Sequence, residues 1–189
     1  MEITIFGKGN MGKAIGGNFE KAGQKVTYAG RDFKGPLGDV VVLAVPYGTV
    51  ESILSAHKDE LAGKVLVDIT NPVNFDTFDG LVVPADSSAA AEIQKKVPEA
   101  LVVKAFNTTF AGVLAAGKVG DKEPAVVLAA SDSEEAKKTL AEALEGSGLS
   151  VVDAGSLKRA REMEALGFLQ ISLAARKKIS WTGGFAVIH

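Results

Sequence analysis

The chain contains no cysteine, a single tryptophan, two histidines and only 6% aromatic residues in 189 positions. Without cysteine there are no disulfides, no thiolate nucleophile and no thiolate metal ligands. Of the histidines, His57 sits among Lys58, Asp59 and Glu60 and reads as a solvated helix-face residue, while His189 is the last position. No cluster has metal-ligand spacing, and no nucleophile is followed by its base. An excess of charge of one sign is also lacking: the formal net charge is −2, which gives no footing for nucleic acid or an anionic membrane surface. No apolar run approaches the ~20 residues needed to span a bilayer. Glu2 and a glycine-rich turn stand where a signal peptide would lie, so a cytoplasmic location is expected. A chain of this length suits one domain better than a nucleotide domain plus a full substrate domain. The expectation is a single nucleotide-binding domain over 1–189, with a sheet core over 1–155 and a helical extension over 156–189.

What the sequence does have is glycine in a particular place. The β-forming run Glu2-Ile-Thr-Ile-Phe6 is followed at once by Gly7-Lys8-Gly9-Asn10-Met11-Gly12-Lys13-Ala14-Ile15, a G-x-G-x-x-G turn between a strand and a helix. That is the dinucleotide-binding fingerprint in its required context. Gly7 allows the tight turn, Gly9 removes a Cβ that would strike a pyrophosphate, and Gly12 lets helix and strand approach closely. Free backbone N–H groups and the positive end of the helix would face the phosphates. Further strands are expected at 25–29, 40–45, 64–69, 101–106, 124–130 and 149–153, alternating with helices at 10–22, 48–60, 87–97, 133–146 and 158–179. The continuous Val/Ile/Leu content of 40–45, 65–69 and 126–130 implies strands covered on both faces. The fold class is therefore α/β, a doubly wound Rossmann arrangement with a mostly parallel sheet and a C-terminal helix.

Residues 30–39 are too short and too rich in glycine and proline for a crossover helix, and predict a loop beside the adenosine ribose. Gly30-Arg31-Asp32 at the end of the second strand favours NADP over NAD, since Arg31, with Lys34 and Lys8 as further cations, can pair with a 2′-phosphate. Ligands collect at the carboxyl ends of strands in such sheets. Here those ends read Val45-Pro46-Tyr47, Ile69-Thr70-Asn71-Pro72 and Ala105-Phe106-Asn107-Thr108-Thr109. Asp132 and Glu135 form a candidate capping box for the helix at 133–146, and Ser87-Ser88 can cap the one before it. Met163, Leu166, Leu169 and Leu173 recur at helical spacing, and that stripe is expected to pack on the sheet or on a second copy, leaving a homodimer as one arrangement.

These strings together resemble the F420-dependent NADP reductase family over nearly the whole chain. The resemblance is carried by Ile5–Ala14, Leu43-Ala-Val-Pro46, Asp68-Ile-Thr-Asn-Pro72, Val102-Val-Lys-Ala-Phe-Asn-Thr108, Asp153-Ala-Gly-Ser-Leu157 with Ala160-Arg161, and Trp181-Thr-Gly-Gly-Phe185. It implies hydride transfer between NADP(H) and a deazaflavin, coenzyme F420, or a flavin, as second substrate; a related module in membrane ferric reductases passes electrons from NADPH to a flavin. By resemblance Lys8, Asn10, Met11, Arg31, Val45 and Pro46 contact NADP, and Asn71, Ala105 and Asn107 lie near the reacting rings. The partner is then a small-molecule redox acceptor, with no nucleic acid and no membrane. The chain departs from the family pattern at Lys8, where Thr or Ala is frequent, at Gly30 before the arginine, and in its short second crossover. Gly9-Asn10-Met11 with Ala14-Ile15 also resembles pyrroline-5-carboxylate reductases, which reduce an imine. A redox-sensing NADP module without turnover is a further alternative, because no strand-end acid or base stands ready to protonate a carbonyl substrate.

Overall fold

The computed structural model describes residues 1–188, and His189 lies outside the described residues. Strand β1 (Glu2–Phe6) leads through the glycine turn into α1 (Asn10–Lys21), and then come β2 (Lys25–Ala29), β3 (Val40–Leu43), α2 (Tyr47–His57), β4 (Val65–Asp68), α3 (Ala89–Lys96) and β5 (Leu101–Ala105). A short helix α4 (Ala111–Ala116) and a two-residue-per-strand hairpin, β6 (Lys118–Val119) with β7 (Glu123–Pro124), precede β8 (Val126–Ala130), α5 (Glu134–Leu144), β9 (Ser150–Gly155) and α6 (Ala160–Ala175). All seven expected strands and five expected helices are present, with ends shifted by a few residues. Helix α4 escapes the periodicity argument because six residues, Ala-Gly-Val-Leu-Ala-Ala, are too few to show a stripe.

The seven main strands run in the order β2-β1-β3-β4-β5-β8-β9. All neighbours pair in parallel except β5 and β8. Chain direction across the sheet reverses between β1 and β3, which places the topological switch point at their carboxyl ends. Every residue of β3 and of β4 is buried, as expected of strands covered on both faces. Val40 and Val42 join a core with Ile5, Ile15 and Phe19 on one side, while Val41 and Leu43 join Phe6, Leu54 and Ile93 on the other. Each such side chain contributes about 1.5–3 kcal/mol of burial.

Residues 30–39 form no helix. The crossover from β2 to β3 stays short because Gly38 passes directly against the backbone of Glu2, where a Cβ would collide, and its N–H donates to Thr4 Oγ1 at 2.9 Å. Three local expectations are corrected. Helix α5 is capped by Ser133, whose hydroxyl accepts from Ala136 N at 3.1 Å, while Asp132 accepts from Leu157 N instead. Strand β8 runs antiparallel to β5, so its apolar run signals burial rather than direction. In α6 only Met163 of the expected stripe is buried; Leu169 is half exposed, and the inward face is Ala160, Met163, Glu164, Gly167, Gln170 and Ala174. Two polar residues on that face find partners at the strand ends, which is why hydropathy alone picked the wrong phase.

Candidate functional site

The glycine turn separates two jobs. Gly7 adopts φ +113°, and a Cβ on it would strike the carbonyl oxygen of Ala44; a Cβ on Gly12 would strike the carbonyl oxygen of Gly7. Both are therefore demanded by the fold itself. Gly9 is different: its φ of −72° suits any residue, and a Cβ there would meet nothing within 4 Å. The space over Gly9 is open, beside the N-terminus of α1, which has no side-chain cap and no acidic residue in its first turn. The first helical N–H groups have no intrahelical acceptor, so they remain available to an anion. An orphaned donor set beside an unfilled Cβ direction fits a pyrophosphate.

From this turn a cleft of about 730 Å³ runs between the ends of β1 and β2 and one face of α2. Gly7, Lys8, Gly30, Arg31 and Val45 line it, and α2 contributes Gly48, Thr49, Ser52, Ile53, Ala56 and His57. Arg31 lines the cleft, and Asp32 is not among its lining residues. Lys34 lies on the exposed loop outside the cleft. Pro46 and Tyr47 open α2. Tyr47 is half-buried, and burial together with Glu92, Asp68 and Glu164 pushes its phenol up.

His57 is a correction to the sequence reading. It is 6% exposed rather than solvated, with its ring 5.2 Å from that of Phe6 and 6.4 Å from that of Phe33. The polar run Lys58-Asp59-Glu60 faces solvent only because the chain leaves the helix there. The α2 wall as a whole was missed, since nothing in its sequence distinguishes a cleft face from a core face.

At the carboxyl ends of β4 and β5 the polar residues hold the fold together. Asn71 donates to the backbone oxygen of Asn107 at 2.9 Å, and Asn107 Nδ2 donates to Asn71 Oδ1 and to Met163 O, each at 2.9 Å. Gly167 lets α6 lie against this pair, because a Cβ there would strike Asn71 Oδ1. Phe106, wholly buried, takes φ +62° in a tight turn closed by Asn107 N donating to Ala105 O at 2.8 Å. Such a conformation costs on the order of 1–3 kcal/mol and is held by its surroundings. Ala105 has no exposed surface and belongs to the core. Thr70 Oγ1 and Asn107 Oδ1 are buried without a hydrogen-bond partner. Gln170 ties the C-terminal segment in place: Nε2 donates to Thr108 O at 2.6 Å, and Oε1 accepts from Phe185 N at 3.3 Å.

Below these amides lies an ion cluster the sequence reading did not anticipate. Lys104 Nζ is 2.8 Å from Asp68 Oδ2 and 2.8 Å from Glu164 Oε1, and it donates to Thr70 O at 2.5 Å; all three charged side chains have no exposed surface. Glu164 also accepts from Ala89 N at 2.9 Å, at the start of α3. Burial pushes its carboxyl above the usual carboxylate range, against the pull of Lys104 and the Ala89 N–H. The available signal was a charged residue inside each of two apolar strands, since a charge so placed must find a partner.

The sequence profile described as NADP oxidoreductase, coenzyme F420-dependent, matches residues 37–72. The F420-dependent NADP reductase of Methanocaldococcus jannaschii is 33% identical over 150 residues, 77% of this chain and 66% of that protein. A crystal structure of a provisionally named F420-dependent NADP reductase from Arthrobacter sp. FB24 superposes with TM-score 0.82 at 25% identity, over 99% of both chains. The chain belongs to the F420-dependent NADP oxidoreductase family. Metalloreductase STEAP3 of Rattus norvegicus is 30% identical over 184 residues, 87% of this family member and 36% of that protein. The chain thus spans just under two thirds of the Methanocaldococcus relative and about a third of the metalloreductase. An imine reductase from Bacillus cereus shares the fold at TM-score 0.64 and 18% identity, with 63% of its length covered. No helix among the described residues is long and apolar enough to cross a membrane, and no group of His, Asp and Glu among them could hold a metal ion.

Proposed function

We propose that the protein is an NADP-dependent oxidoreductase that transfers hydride between NADP(H) and a planar flavin or deazaflavin acceptor in the cytoplasm. The observation that carries this reading is the unfilled space over Gly9, next in sequence to Gly7 and Lys8, which line a cleft together with Arg31. The names of the family relatives support both NADP and coenzyme F420. When bound, the cofactor supplies the hydride, so the protein has to bind, orient and keep out water. Gly7 to Gly12 would hold the pyrophosphate, Lys8 and Arg31 the 2′-phosphate, and Val45 and Pro46 the approach to the nicotinamide. Asn71, locked to Asn107 and α6, fixes the edge against which the ring would lie.

The acceptor class follows from what the strand ends withhold. At the ends of β4 and β5 the ionisable side chains, Asp68 and Lys104, are wholly buried in ion pairs, so neither can deliver a proton to a developing alkoxide. A flavin or deazaflavin spreads the incoming charge over its own rings, whereas a ketone lacks a positioned acid worth 10²–10⁴-fold. With a panel of acceptors, NADPH oxidation is expected with coenzyme F420 or a flavin and not with cyclic imines, ketones or hydroxy acids. Turnover of an imine alone would move the protein to the imine-reducing branch of the fold, and binding without turnover of any acceptor would make it a sensor.

Arg31 should set cofactor preference. A charge-assisted bond to phosphate is worth about 1.5–3 kcal/mol, or roughly 10- to 150-fold. By calorimetry NADPH should bind that much tighter than NADH, and Arg31→Ala should erase most of the gap while leaving NADH affinity nearly unchanged. Equal affinities in the unsubstituted protein would remove the 2′-phosphate assignment.

A further inference from the structure

Of the residues lining the β1–β2–α2 cleft, His57 is the one buried polar side chain. Its Nδ1 lies 2.9 Å from Glu60 Oε1. A carboxylate only accepts, so Nδ1 carries the hydrogen, and in the Nδ1–H tautomer Nε2 is an acceptor. Among the described residues Nε2 has no hydrogen-bond partner. Among the described residues the sealed-off polar atoms without partners are Thr70 Oγ1 and Asn107 Oδ1 alone, so Nε2 keeps access to solvent, and the opening that the His57 side chain borders is this cleft. Contact with Phe6 and Phe33 and the tether to Glu60 hold the ring in that orientation.

We propose that His57 reads the base at the adenine end of NADP(H), with Nε2 accepting a hydrogen bond from the 6-amino group. This rests on the cleft being the NADP site. A heteroaromatic base suits the surroundings, because Phe6, Ile53 and Ala56 offer apolar surface beside the imidazole. An anion does not suit them: Glu60 already places a carboxylate against the ring, and the cleft's cations, Lys8 and Arg31, stand on the β1 and β2 loops rather than on α2. The amino group is the only hydrogen-bond donor on the adenine edge, so the contact discriminates among purines.

The test compares NADPH with its purine analogue, in which a hydrogen replaces the 6-amino group and removes that donor without creating an N1–H. By calorimetry the unsubstituted protein should bind NADPH about three- to tenfold more tightly than the analogue. His57→Phe keeps an aromatic ring against Phe6 and Phe33 and returns the half-exposed Glu60 to water, and it should bring the ratio to about one by weakening NADPH alone. A ratio of one in the unsubstituted protein overturns the proposal, and that comparison needs no variant to fold. So does a His57→Phe protein that still discriminates. Failure of the unsubstituted protein to bind either nucleotide would instead refute the NADP site itself.

Discussion

Replacing Gly9 by valine is expected to abolish NADPH binding while lowering the melting temperature by no more than about 4 °C. The turn explains the separation of effects. Valine at φ −72° is unstrained, its Cβ meets no protein atom, and it loses only the modest helix-start preference of glycine, about 1 kcal/mol. Its two methyl groups would occupy the volume through which a pyrophosphate reaches the N–H groups of α1. Gly12→Val provides the contrast: there the Cβ would collide with the Gly7 carbonyl, so stability and binding should fall together. Calorimetric titration and thermal melts of both variants check this, and undiminished NADPH binding by Gly9→Val would reduce the fingerprint to an ordinary turn.

The largest expected effect on stability belongs to Lys104→Met, at about 3–5 kcal/mol, because the change strands the buried carboxylates of Asp68 and Glu164 without their cation. The deficit should depend on pH with a definite sign. Burial already raises Glu164 above its unfolded value, so the folded state holds that proton more tightly than the unfolded chain does. Such a group contributes most below its unfolded pKa, and the contribution is lost as pH rises through the folded one. Removing the lysine raises the folded value further, and denaturant melts of the variant should show a deficit that widens from pH 5 to pH 8. A pH-independent deficit would mean that packing of the lysine stem, and not its charge, is what the cluster supplies.

Much of the architecture is legible because its signals are local. The β-branched runs at 40–43 and 65–68 announce doubly covered strands, and the glycines at 7, 9 and 12 announce the turn between β1 and α1. What escaped reading is set by contacts distant in sequence. Lys104 and Asp68 are 36 positions apart, and each looks like a solvated charge until the strands pair. His57 is followed by three polar residues, yet its burial depends on the β2–β3 loop bringing Phe33 over it. The phase of α6 could not be read from hydropathy, because its inward face spends Glu164 on β5 and α3, and Gln170 on the turn after β5 and the C-terminal segment. The antiparallel β8 hides for a related reason: an apolar strand carries no mark of direction, and the short segment that reverses it, α4 and the hairpin, is below the length at which periodicity speaks.

The way α6 is fastened also bears on how the molecule comes into being. The groups it satisfies at the strand ends, among them Lys104, Asn107 and the start of α3, are made well before it. Ala89 and Glu164 are separated by 75 positions, so at about 5–20 residues per second a ribosome delivers the carboxylate roughly 4–15 s after the N–H it will accept. During that interval the turn between β1 and α1 is complete while Lys104 has Asp68 as its one carboxylate partner and Asn107 Nδ2 still lacks the Met163 carbonyl. Newly made chains therefore pass through a stage in which one half of the crevice is finished and the other waits for the last helix to dock.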